Sequence, residues 1–88
     1  MELRFKGKFN KDIANRSQKL SDEIRETILN VKLVPDISKI QNLVKLKKHK
    51  VHYRIRIAND YRIGVIIRGN KIWFACFGHR SGFYKNFP

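Results

Sequence analysis

The sequence predicts a small α+β domain in which an N-terminal strand and two helices pack on an antiparallel sheet ending in a three-stranded meander. Two observations carry this. Tyr53-Arg54-Ile55-Arg56-Ile57 alternates apolar and cationic side chains without a break, the period of a strand with one buried face. Gly69-Asn70 then separates two apolar runs, which fits a two-residue hairpin of the primed kind with glycine at positive φ. Strand, helix, helix and three strands, in that order, put the helices on one face of the sheet.

Taken in order, Leu3 to Phe9 alternates Leu3 and Phe5 with Arg4 and Lys6, and is predicted as a short edge strand. Asn10 is the expected N-cap of a helix in which Ile13, Ala14 and Leu20 recur at helical spacing. Ser21 is the expected second cap, with Asp22 and Glu23 in the first turn, where the helix dipole favours negative charge. Ile24, Ile28 and Val31 mark the apolar face of that helix, which stops before Pro35 because proline biases Val34 away from the α region. Asp36 is placed as the cap of a further helical turn through Ile40. Leu43 to Lys50 mixes apolar and basic residues and receives no element. Strands are expected over His52 to Ile57, Tyr61 to Arg68 and Lys71 to Gly78, joined at Ala58-Asn59-Asp60 and Gly69-Asn70.

A chain of 88 residues makes one domain, residues 1–88, and a hydrophobic fraction of 42% supports a real core. The single cysteine, Cys76, can form no internal disulfide, and its apolar neighbours predict a buried small hydrophobe. With one Cys and three scattered His there is no metal-ligand spacing. The longest uncharged run in the middle of the chain, Ile72 to Gly78, falls far short of the roughly 20 residues that cross a bilayer. Met1-Glu2-Leu3-Arg4 reads as mature structure rather than a leader, so a cytoplasmic protein is expected.

Twenty Lys and Arg against seven Asp and Glu leave a net charge of +13. Such a field attracts polyanions, nucleic acid foremost, with binding that weakens in salt. If Tyr53, Ile55 and Ile57 pack under the helices, Arg54 and Arg56 lie on the open face. Arg62 leads the neighbouring strand, while His79 and Arg80 end the last one. The meander can gather these cations into a cradle for RNA, although the sequence leaves the register open. Tyr53 and Tyr61 are expected to pack on the sheet.

Three motifs in this order, Tyr53-Arg54-Ile55-Arg56, Asp60-Tyr61-Arg62-Ile63 and His79-Arg80 followed by Tyr84, resemble the RelE/ParE superfamily of toxins from bacterial toxin–antitoxin pairs. Within it, the chain is similar to the RelE-like branch of messenger-RNA interferases. The resemblance runs the whole length in element order. It implies a ribosome-dependent endoribonuclease, held inactive by a cognate antitoxin that wraps it. The implied reaction is attack by a ribose 2′-hydroxyl on the adjacent phosphate, and it needs no metal or other cofactor. By resemblance, Arg54 and Arg56 fall at the paired basic strand positions, Arg62 at the central phosphate-binding arginine, and Arg80 at the arginine of the last strand. Tyr84 matches the C-terminal aromatic that stacks on a base or orients the attacking hydroxyl.

Two departures bear on the chemistry. Some relatives carry lysines where this chain has Arg54 and Arg56, and arginine is a poor base but a good bidentate phosphate clamp. His79 is therefore the first choice for acid or base, since histidine titrates nearest neutrality. Tyr84, Lys48, Lys50, His49 and His52 remain open for that role. Relatives also commonly carry glycine in the turn where this chain has Ala58-Asn59. The cluster Lys45, Lys47, Lys48 and Lys50, with His52, is expected to dock ribosomal RNA or the antitoxin. Two other functions stay in competition: a ParE-like poison of DNA gyrase, and a non-enzymatic nucleic-acid-binding module.

Overall fold

The computed structural model describes residues 1–88. Its elements are β1 (Glu2–Phe5), α1 (Gly7–Ile13), α2 (Gln18–Leu33), a 3-10 turn (Ile37–Lys39), β2 (Leu43–Lys45), β3 (His52–Ile57), β4 (Tyr61–Arg68), β5 (Lys71–His79) and α3 (Arg80–Asn86). One five-stranded sheet runs in the order β1-β5-β4-β3-β2. The β5-β4-β3-β2 pairs are antiparallel, and β1 joins β5 in parallel. The sheet is thus mixed, because the chain leaves β1 through two helices before returning beside it.

The expected start of the first helix moves forward. Asn10 sits inside α1, its N–H donating to the Lys6 carbonyl at 3.2 Å, and the extended Lys6 is the N-cap. Ending β1 at Phe5 lets Phe5 stack on Phe74 with centroids 5.1 Å apart, and the helical turn then drives the fully buried Phe9 onto the same ring at 5.4 Å. Aromatic packing overrides the capping preference of Asn10.

The second helix likewise begins before the expected cap. Ser17, not Ser21, caps α2, its hydroxyl accepting the Leu20 N–H at 3.2 Å. That earlier start places Leu20, Ile24 and Val31 on the buried stripe. The helix ends at Leu33 with an extended Val34 ahead of Pro35, as the proline requires. Asp36 caps the 3-10 turn by accepting the Ser38 N–H at 2.9 Å.

Under α1 and α2 lies the main core, in which Phe9, Leu20, Ile24 and Val31 meet Ile55, Ile57, Ile63, Val65, Ile67, Ile72, Phe74 and Phe77. Tyr53 and Tyr61 pack against it, as expected. The opposite face is only partly open. Ala75, Cys76, Phe83 and Phe87 form a second, smaller core beneath α3. A bulge makes this possible: Gly64 pairs with Cys76 but Val65 pairs with Phe74, leaving Ala75 unmatched. The extra residue shifts the alternation by one, so Phe77 returns to the main core while Cys76 joins the second.

Candidate functional site

The site is built on the ends of β3, β4 and β5 and on the start of α3. Register places Arg54 opposite Gly64 and Arg56 opposite Arg62 on the face away from α1 and α2. Directly opposed residues of antiparallel strands have Cα atoms about 4.5–5.5 Å apart, so three guanidinium-bearing positions share one small area. Arg56 is exposed and Arg54 half-buried. Beside them, Val44 on β2 pairs with Arg54 and is one of the larger exposed apolar side chains.

Arg62 is folded back on its own turn. Its Nη1 donates to the carbonyls of Asn59 at 2.8 Å and Tyr61 at 2.9 Å, and its Nε is buried without a partner. The guanidinium braces the β3–β4 turn, where Ala58 and Asn59 have φ of 51° and 60°. Arg80 stands differently. Its N–H donates to the Asp60 carbonyl at 2.7 Å, and its Nε lies 3.5 Å from the Asp60 carboxylate. Neither Nη of Arg80 makes a hydrogen bond within the protein, which leaves both to donate to an anion.

His79 pairs with Tyr61 at the end of β5, on the face of the main core, its ring meeting the Tyr61 ring edge-on at 5.3 Å. It also caps α3: the Ser81 N–H donates to His79 Nδ1 at 3.1 Å, and the Ser81 hydroxyl lies 2.9 Å from the same nitrogen. A backbone N–H can only donate, so the capped neutral ring carries its proton on Nε2. Tyr84 is exposed on α3, its ring edge-on to Phe83 at 4.9 Å.

The expected docking cluster splits. Lys45 lies on β2 opposite Tyr53, and Lys47, Lys48 and Lys50 are exposed in the loop that follows, Lys48 at φ 64°. His52 belongs instead with the tail, its ring against Phe87 at 5.5 Å and His49 at 5.4 Å. Burial, then the charges of His49, Arg68 and Lys6, hold its imidazole below the ordinary value.

Two residues given no role from the sequence join the neighbourhood, although Asp60 opens one of the motifs that carry the resemblance. Arg16, in the α1–α2 connection, lies over the rings of Phe77 at 5.1 Å and Tyr61 at 5.9 Å. Asp60 is the only acidic side chain after Asp36, and that isolation in a basic stretch was the available signal. Nothing local marked Arg16, because only tertiary packing brings the connection to β5. No group of three or more His, Cys, Asp and Glu is gathered anywhere in the fold. No helix is long and apolar enough to cross a membrane.

This arrangement of a parallel edge strand, helix pair, meander and capping helix is that of RelE-type toxins. The fold matches a chain of the crystal structure of the RelB–RelE antitoxin–toxin complex from Methanococcus jannaschii with a TM-score of 0.80 and 27% identity, covering 97% of this chain and 99% of that one. The DinJ–YafQ complex of E. coli shares the fold at TM-score 0.64 and 12% identity, over 94% of this chain and 97% of that one. In sequence, the chain is 40% identical over 47 residues to Toxin RelE3 of Methanocaldococcus jannaschii, a match over 53% of this chain. The aligned part spans about half, 52%, of that curated relative. No family model matches. The fold is therefore that of RelE-type toxins, and the chain is similar to them in sequence over about half its length.

Proposed function

We propose that this chain is the toxin of a toxin–antitoxin pair and acts as an endoribonuclease that cuts messenger RNA on the ribosome. The observation that carries this is the placement of Arg54 and Arg56 on one sheet face, with Arg62 bracing the adjoining turn and Arg80, whose Nη groups make no hydrogen bond within the protein, at the sheet end. Such a cradle suits a phosphate that gains negative charge as a 2′-hydroxyl attacks it. Fixed donors aimed at that charge lower the barrier most, and losing one costs about two to three powers of ten in rate. Arg80 supplies a bidentate donor edge, and Arg56 and Arg54 add positive charge beside it.

The leaving 5′ oxygen needs a proton and the 2′-hydroxyl must lose one. His79 stands on the main-core face and Arg54, Arg56 and Arg62 on the other, so it meets a phosphate only round the sheet end beside Arg80. As imidazolium it gives up the Ser81 N–H cap, turns Nδ1–H to the Ser81 hydroxyl 2.9 Å away and can donate the Nε2 proton to the leaving oxygen. Tyr84, exposed on α3, is the candidate to stack on a base or orient the attacking hydroxyl. The +13 charge supports docking on ribosomal RNA through Lys45, Lys47, Lys48 and Lys50. It also supports an acidic antitoxin as the restraining partner. That solved relatives are antitoxin–toxin complexes supports the same partnership.

Expression of the chain alone, with mRNA 5′ ends mapped and supercoiling followed, tests the reading. The expected result is translational arrest, new 5′-hydroxyl ends inside coding regions and intact DNA. Arg80→Ala should lose about two to three powers of ten in single-turnover cleavage, and Arg56→Lys should keep partial activity. Gyrase-dependent DNA breaks with unchanged mRNA ends would point to a gyrase poison. Tight RNA binding with no cleavage would point to a passive binding module.

A further inference from the structure

We infer that Asp60 is a positioning residue for Arg80, holding it from both backbone and side chain so that its terminal nitrogens stay free for a substrate phosphate. The inference rests on the nuclease reading above. Asp60 is the only carboxylate side chain after Asp36, in the stretch that contributes Arg54, Arg56, Arg62 and Arg80. It meets one of these four. Its carbonyl accepts the Arg80 N–H at 2.7 Å, fixing the junction of β5 and α3 to the β3–β4 turn. Its carboxylate lies 3.5 Å from Nε, an ion pair rather than a hydrogen bond, and neither Nη makes a hydrogen bond within the protein.

The comparison with Arg62 shows what this geometry does. Arg62 spends Nη1 on two turn carbonyls and buries Nε, so it has no free bidentate edge and only Nη2 is left. One short turn therefore anchors two arginines in opposite senses, one as a brace and one as an open clamp. The Asp60–Arg80 pair is largely exposed, with side chains 47% and 61% accessible respectively, and such pairs add little stability. Its effect is on geometry: a guanidinium already held at Nε surrenders less rotamer freedom when the phosphate arrives.

Asp60→Asn keeps the size and the backbone carbonyl and removes only the charge, and two measurements read it. The first needs no activity: solvent exchange of the Arg80 Nε–H by 15N NMR, its signal assigned by loss in Arg80→Lys. Exchange should be several-fold faster in Asp60→Asn than in the wild type. The second is single-turnover cleavage of ribosome-bound mRNA. Asp60→Asn should slow it about tenfold, with ribosome affinity unchanged or tighter because a negative charge has been removed. In an Arg80→Lys background the same substitution should cost nothing more, since a coupled pair is non-additive. Unchanged Nε–H exchange, an equal loss in both backgrounds, or faster cleavage in Asp60→Asn would each overturn the assignment. If the wild type cuts no mRNA, the nuclease reading falls, and the exchange measurement still decides whether Asp60 holds Arg80.

Discussion

The Asp12 carboxylate on α1 accepts the backbone N–H of Phe77 on β5 at 3.0 Å, across 65 residues of chain. Strand β1 covers the edge of β5 only from Lys71 to Phe74, so Phe77 would otherwise carry an unpaired N–H at a half-buried edge. Lys8 closes on the same carboxylate at 2.9 Å and holds it in place. A side chain thus continues the sheet edge where the strand has ended. Asp12→Ala should lower unfolding stability by about 1–3 kcal/mol, the cost of stranding a buried donor. Asp12→Asn, which keeps an acceptor, should cost less. Urea denaturation checks both, and equal losses would show that charge rather than acceptance matters.

Gly64 is required by the second core. A Cβ there would sit 2.8 Å from the Cys76 sulfur and 2.9 Å from the Phe87 ring. Gly64→Ala should therefore cost about 1–3 kcal/mol through overpacking and push the tail off the sheet. Cys76 reports the displacement directly, because burial pushes its thiol up to about 11 and the residue is 5% exposed. Alkylation should be very slow in the wild type near neutral pH and clearly faster in Gly64→Ala. Equal rates would mean that the tail does not seal the sulfur.

The β3–β4 turn holds Ala58 at φ 51°, a left-handed conformation that costs a non-glycine residue about 1–2 kcal/mol. Glycine would relieve this while adding about 0.5–1 kcal/mol of backbone entropy cost. Ala58→Gly should therefore stabilise the fold slightly, and Ala58→Val should destabilise it. Thermal unfolding of the three proteins orders them, and a destabilised Ala58→Gly would show that the turn needs its stiffness.

The His52 imidazole is held below its ordinary value of 6.5 by burial, then by the charges of His49, Arg68 and Lys6. Its neutral form is favoured in the folded protein, so the unfolded chain binds the extra proton first. The associated stability is full above pH 6.5 and is lost as pH falls through the lowered folded value. Because His52 packs on Phe87, acid should loosen the C-terminal tail. His52→Gln should flatten the stability change between about pH 7.5 and 5. An unchanged slope would remove His52 as its source. Asp36, held low by Ser38, titrates below 3.8 and lies outside this window.

Alternation in residues 53–57 and the Gly69-Asn70 turn, with Gly69 at φ 57°, determined β3, β4 and most of β5 before any packing was considered. Pro35 fixed the end of α2 in the same way, since these are effects of one residue on its neighbours. The sequence likewise put Arg54 and Arg56 on one face, because strand period is local geometry. Tertiary structure decided the rest. Phe5, Phe9 and Phe74 set the start of α1 against the preference of Asn10, because three rings gain more from contact than one cap contributes. Strand β2 is three residues long and exists only by pairing with β3. Helix α3 was invisible because its seven residues are too few to hold a helix without the second core beneath them. The different fates of Arg62 and Arg80 also lay beyond the sequence. Both are arginines near one turn, and only the placement of carbonyls and the Asp60 carboxylate separates a brace from a clamp.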